Sequence, residues 1–178
     1  MTAADQLRVL ILEDQSPDAD LMRHEVLRAW PAAVFHRADD RDDFMAGLVA
    51  FHPDVVLSDH SLTQYTGAEA LALTQVLSPE TPFIMVTGSL DEETAVECIK
   101  SGAADYVLKE NLLRLVPAVR RALEQARVRR ALEAEHALLR SEAERYRQLV
   151  DLMDAAERRR LEELLQIRLV SGDAIETR

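Results

Sequence analysis

Four places in this chain set a reactive side chain directly after an apolar run. Leu7-Arg8-Val9-Leu10-Ile11-Leu12 is followed by Glu13 and Asp14, and Val55-Val56-Leu57-Ser58 by Asp59. Pro82-Phe83-Ile84-Met85-Val86 is followed by Thr87, and Asp105-Tyr106-Val107-Leu108 by Lys109. If the runs are neighbouring strands, three carboxylates, a hydroxyl and an ammonium share one rim. Carboxylates so concentrated repel one another, which predicts a hard divalent cation with oxygen ligands. Asp59 is then a carboxylate nucleophile of the kind that forms an aspartyl phosphate. Asp14 and Asp59 can ligate Mg2+, and Glu13 can hold one of the waters this ion keeps. The cation and Lys109 would together neutralise charge on a transferring phosphoryl group, while Thr87 donates to one of its oxygens. Of 21 basic residues only Lys100 and Lys109 are lysines. A compact, flexible point charge at this strand end, in a chain otherwise rich in arginine, points to chemical choice.

The elements that must position these residues alternate. Val55–Ser58, apolar with two β-branched residues, reads as a strand buried on both faces, as in parallel sheets. Its terminal carboxylate lies where open α/β sheets bind ligands, outside the carboxyl ends of the strands. Ser16-Pro17-Asp18 has the chemistry of a helix start, with Leu21, Met22, Val26 and Leu27 as the apolar face behind it. Ala33–His36 reads as a second strand, and Asp39-Asp40 opens a helix bearing Phe44, Leu48 and Phe51. A third helix, from about Gly67 through Leu77, carries Ala68, Leu71, Ala72 and Val76. Asp91-Glu92-Glu93 begins a fourth, which Gly102 can end from the C′ position. Five strand-and-helix alternations with short connections imply right-handed crossovers and a doubly wound five-stranded parallel sheet of the α/β class.

Beyond Asn111 the character changes. Residues 1–110 carry 20 acids and 7 bases, a net −13, whereas 111–178 carry 12 acids and 14 bases, a net +2. The acidic part would repel a phosphate backbone, which argues against nucleic acid as its partner. No glycine or proline falls between Pro117 and Gly172, and Ala, Leu, Glu and Arg dominate, so one long helix is expected. Leu132, His136, Leu139, Ala143, Tyr146, Val150 and Met153 alternate steps of four and three, a heptad seam that falters at Glu157 and Arg160 and partly resumes at Leu161, Leu164 and Ile167. A parallel homodimeric coiled coil would bury it. The expected division is a domain over 1–125 and a helical coiled-coil extension over 126–178. Pro117 allows two arrangements: a kink in a helix capped at Asn111, or a regular helix that begins later. The single cysteine, Cys98, excludes an intramolecular disulfide and sits among apolar neighbours as packing. With no apolar run long enough to span a bilayer, a cytoplasmic location and no membrane partner are expected.

The strand-end set resembles the receiver domain of two-component response regulators, over residues 7 to about 125. The matching pieces are Ile11-Leu12-Glu13-Asp14, Leu57-Ser58-Asp59, Gly67 eight residues after that aspartate, Val86-Thr87-Gly88, and Asp105 to Lys109. The resemblance implies a flavodoxin-like strand order of 2-1-3-4-5, phosphorylation on Asp59 by a histidine kinase or phosphotransfer protein, and no enzymatic activity beyond the domain's own phosphotransfer and dephosphorylation. It implies that Ser61 gives a backbone carbonyl to the metal and that Tyr106 changes rotamer as Thr87 moves toward the phosphoryl group. Two positions depart from the family. Thr63 and Glu110 stand where it commonly has proline. Without proline after Lys109, a cis peptide there would cost ~3 kcal/mol.

Ser141–Val150 is similar to the signalling helix that precedes PAS or kinase modules. Two further readings therefore accompany a phosphorelay receiver that signals through a dimeric helix. One is a receiver fragment of a larger hybrid kinase or PAS-containing protein; the other is a phosphorylation-independent acidic interaction module.

Overall fold

The computed structural model describes residues 6–63, 65–88 and 92–152, together with 157, 159, 160, 163 and 164. Asp91 at the expected start of the fourth helix, Gly172, and Met153, Leu161 and Ile167 of the expected seam lie outside the described residues.

Five short apolar strands, β1 (Arg8–Leu12), β2 (Val34–Ala38), β3 (Val55–Asp59), β4 (Phe83–Thr87) and β5 (Asp105–Leu108), form one sheet in the order β2-β1-β3-β4-β5. Every pairing is parallel. Between them run α1 (Ser16–Ala29), α2 (Arg41–Ala46, continued as a π-helical turn over Gly47–Phe51), α3 (Gly67–Leu77) and α4 (Glu92–Lys100). The two-residue period of a strand sends alternate side chains into two separate cores. Val9, Ile11, Val55, Leu57, Ile84 and Val86 pack with Met22 and Val26 of α1 and with Leu115, Ala118, Val119 and Ala122. Leu10, Leu12, Val56 and Met85 pack on the other face with Phe44, Leu48, Ala70, Leu71 and Cys98. β3 and β4 are buried along their whole length, as apolar central strands of a two-sided parallel sheet must be.

Gly102 ends α4 as its position suggests. Its φ is +102°, its N–H donates to Ile99 O at 3.0 Å, and Ala103 N–H donates to Cys98 O at 3.1 Å, the paired bonds of a Schellman close. The helix start expected at Ser16-Pro17-Asp18 is found, with Gln15 at the N-cap and the Ser16 hydroxyl accepting from Arg37 Nη1 at 3.0 Å. Two local expectations are corrected. Leu21 is exposed, and α1 buries Ala19, Met22 and Val26. On α3 the buried set is Gly67, Ala70, Leu71 and Thr74, whereas Ala68, Ala72 and Val76 face out. That helix is apolar nearly all round, so its angle on the sheet selects the buried face and composition does not.

After β5 the chain makes a 3-10 stretch, Lys109–Arg114, in which Asn111 has non-helical φ and ψ of −132° and 54°. The long helix α5 then runs Leu115–Leu152. Of the two arrangements open for Pro117, the later start is the one found. Proline falls in the first turn, where its missing N–H costs no intrahelical bond. Among the described residues no peptide bond is cis, the one after Lys109 included. Two compact units are distinguished, Met1–Arg130 and Ala131–Arg178. The first extends to Arg130 because Ala126 is still buried and both Arg129 and Arg130 reach the Glu80 carbonyl. Among the described residues no helix is long and apolar enough to cross a membrane.

Candidate functional site

Strand register brings the chemical residues to one edge. Leu12 pairs with Ser58, so Glu13 and Asp59 each lie one residue further on. Asp59 pairs with Val86 and Thr87 with Leu108, which leaves Thr87 and Lys109 a step beyond in turn. Glu13 is fully buried, and Asp59 and Thr87 nearly so.

Lys109 is the hub. Its Nζ lies 2.7 Å from Glu13 Oε2, 2.6 Å from Asp18 Oδ2 and 3.2 Å from Asp59 Oδ2. Burial disfavours the ammonium charge, but hydrogen bonds to Asp18 and Glu13 outweigh it and hold the Lys109 pKa above its ordinary value. Burial pushes the Glu13 carboxyl up, against the hydrogen bonds it accepts from Lys109 and from Gln15 N–H at 3.0 Å. The Asp59 carboxylate is oriented by its neighbour, since His60 N–H donates to Oδ1 at 2.7 Å and leaves Oδ2 facing the lysine.

Asp14 points elsewhere. Its Oδ2 accepts from Thr63 Oγ1 at 2.5 Å and Thr63 N–H at 3.0 Å, bonds that hold its pKa below the usual range. Thr63 supplies two donors at a position where proline would supply none. Ser61 is exposed and bridges to Thr66 across the β3–α3 turn. Tyr106 is half-buried on β5 beside Ala95, Val96, Ile99 and Lys100. Gly67 begins α3 against the end of β3. A Cβ there would lie 2.6 Å from Asp59 O and 2.6 Å from Met85 Sδ, so no larger residue fits without displacing the Asp59 backbone. Cys98 is buried and its thiol pKa is raised by that burial, as suits packing.

The structure thus gathers Glu13, Asp59 and Lys109, ends β4 on Thr87, and sets Asp14 and Ser61 on the loops above. Among the described residues no three His, Cys, Asp or Glu side chains are arranged to hold a metal ion. Glu13 and Asp59 converge on Lys109 instead, and Asp14 on Thr63. Two participants are not evident from the sequence. Asp18 reads there only as a first-turn helix acid, yet it is the nearest partner of Lys109, 91 residues away. Arg37, in β2, donates through Nε to Glu13 O at 3.0 Å and through Nη2 to Asp14 O at 2.9 Å, strapping the loop that presents the acidic pair. No local signal marks either residue, because each acts across strands.

Comparison with known proteins places this geometry. The family profile of the response regulator receiver domain matches residues 9–120. The regulatory protein AtoC of Escherichia coli K12 is 32% identical over 142 residues, covering 78% of this chain and 30% of AtoC. A Bacillus subtilis 168 protein, described as the uncharacterized transcriptional regulatory protein YxjL, is 30% identical over 167 residues, covering 92% of this chain and 76% of YxjL. NtrX of Azorhizobium caulinodans is 38% identical over 96 residues, which are 52% of this chain and 21% of NtrX. The chain therefore spans under a third of AtoC and of NtrX. Among solved structures, NtrX from Brucella abortus superposes with a TM-score of 0.65 at 27% identity, over 71% of this chain and 29% of that one. A CheY-like receiver domain from Methanospirillum hungatei JF-1 shares the fold, with a TM-score of 0.62 at 23% identity over 70% of this chain and 98% of its own. With sheet order, strand-end residues and family match in agreement, the chain belongs to the response regulator receiver domain family.

Proposed function

We propose that the chain is a phosphorelay receiver that accepts a phosphoryl group on Asp59 from a histidine kinase or phosphotransfer protein and signals through a dimeric C-terminal helix. The observation that carries this reading is the convergence of Lys109 Nζ and Asp59 Oδ2, 3.2 Å apart, at the carboxyl edge of the sheet. Asp59 Oδ2 attacks the phosphorus of the donor. With Oδ1 occupied by the His60 N–H, Oδ2, which faces Lys109, is the oxygen left for the transfer. Lys109 offsets negative charge on the transferring group as a point charge, and the Thr87 hydroxyl donates to one of its oxygens. Tyr106 follows Thr87 by changing rotamer, which alters the α4–β5 face.

The donor set is oxygen only, which fits Mg2+, with Asp14 and Asp59 as carboxylate ligands, Ser61 as a carbonyl ligand and Glu13 as holder of a bound water. Such an ion would supply charge neutralisation for the phosphoryl oxygens. Asp14 Oδ2 is engaged by Thr63, which leaves Oδ1 as the oxygen it would offer.

The decisive experiment is incorporation of phosphate from acetyl phosphate with Mg2+. Label on the parent chain and none on Asp59→Asn is expected; equal label on both would overturn the assignment. Lys109→Arg should transfer more slowly at unchanged charge, because a planar fork cannot occupy the point that three carboxylates surround.

Support for the dimeric helix comes from Leu132, Leu139 and Tyr146, large seam residues that are all more than half exposed. A partner helix would bury this stripe, and a two-fold interface is the commonest solution. Light scattering should show a dimer for the full chain and a monomer for a truncation after Arg130; a monomeric full chain at micromolar concentration would overturn it.

A further inference from the structure

We propose that Asp18 is a positioning residue that competes with the phosphoryl group for Lys109 and so restrains phosphorylation of Asp59. The inference rests on the reading of Asp59 given above. A lysine ammonium has three N–H donors and no more. Here two of them are given to carboxylates, Asp18 at 2.6 Å and Glu13 at 2.7 Å, while the phosphoacceptor stands further off as an ion pair at 3.2 Å. Those two bonds hold the ammonium away from Asp59, so an incoming phosphoryl oxygen competes with Asp18 and Glu13 for its position and its charge.

Glu13 cannot yield easily. It is fully buried, and its other oxygen is held by Gln15 N–H. Asp18 can, because it stands in the first turn of α1 with its side chain 35% exposed and can turn to water. Its charge acts in the same sense as its hydrogen bond. With Glu13, Asp14 and Asp59 it makes four carboxylates against Lys109 and Arg37, a net negative field that opposes an anionic phosphoryl donor. In the transfer itself, Asp59 Oδ2 forms the new P–O bond as the bond from phosphorus to the acetate oxygen breaks. Acetate departs with that electron pair, and no proton changes hands.

The alternative, that Asp18 only favours the positive N-terminus of α1, makes a different prediction. Loss of the acid would then lower helix stability and leave the lysine where it is. Two measurements separate the readings. The first is phosphorylation by acetyl phosphate and Mg2+ for the parent, Asp18→Asn and Asp18→Glu, each first shown to be folded by its thermal melt. Asp18→Asn should be labelled about fivefold faster than the parent, and Asp18→Glu, which restores a carboxylate, should return toward the parent rate. The second needs no phosphate. The chain holds only two lysines, so 15N-lysine spectra contain just the Lys100 and Lys109 ammonium groups. The Lys109 ammonium protons should be protected from exchange in the parent and less so in Asp18→Asn.

Labelling of Asp18→Asn at or below the parent rate would overturn the competition. Unchanged Lys109 protection in that variant would overturn the clamp, whatever the labelling shows. If the parent takes up no phosphate, that failure belongs to the reading of Asp59 and removes the competition with it, while the exchange result still decides whether Asp18 holds the lysine.

Discussion

From Leu115 to Ala126, α5 buries Leu115, Ala118, Val119, Ala122 and Ala126, whereas from Val128 to Leu149 every residue is exposed. The difference does not follow hydrophobicity. The buried stretch is mostly alanine, and the exposed one offers Val128, Leu132, Leu138, Leu139, Tyr146 and Leu149. Small side chains suit close approach of a helix to a sheet, since they let the backbone come near without voids. Large ones that the chain itself leaves in water are an exposed apolar surface, and in a folded protein such a surface marks an interaction site. One helix thus supplies core in its first part and, in its second, the exposed apolar stripe proposed above to pair with a partner helix.

Substitutions can break or sharpen this contrast. The largest effect should come from Leu115→Ala, which leaves a cavity in the sheet-facing core and should cost about 2–5 kcal/mol in urea unfolding. A loss below about 1 kcal/mol would mean the first stretch is not core. Next comes Leu139→Asp, which places a charge on the seam. It should convert a dimeric full chain to monomer by light scattering without altering the unfolding of residues 1–130. Glu80→Ala removes the carboxylate paired with Arg129 and Arg130 where the first unit ends, and keeps the carbonyl to which both donate. The ion pairs are long, 3.7 and 3.8 Å, and well exposed, so the loss should be about 0.5 kcal/mol or less. The smallest effect belongs to Leu138→Ala, next to the seam but off it, with a stability change within about 0.5 kcal/mol and no change in association. If Leu138→Ala and Leu139→Asp dissociate the chain equally, the surface is not a heptad seam.

Much of this was legible in advance. The strands announce themselves because a sheet covered on both faces needs unbroken apolar runs, and Val55–Leu57 and Phe83–Val86 supply them. Asp59, Thr87 and Lys109 were legible for the same reason, as polar residues at the ends of runs that admit none. The buried face of α3 was not. Ala68, Ala72 and Val76 are as apolar as Ala70 and Leu71, so sequence cannot choose among them. Nor could it show Asp18 on Lys109 or Arg37 on the carbonyls of Glu13 and Asp14. Those bonds depend on β1, β2 and β5 being assembled, and the residues lie far apart in the chain.

The absent side chain at Gly67 has a mechanical consequence. With α3 seated on the Asp59 carbonyl, and the Ser58 hydroxyl bonded to that same oxygen at 2.8 Å, the Asp59 backbone has no slack on that side. Asp59 is the fixed jaw of a vice. Under the phosphorelay reading proposed above, the jaw that travels when a phosphoryl group arrives is the other one, Thr87 and Lys109, and displacement is delivered outward along β4 and β5 rather than absorbed beneath the site.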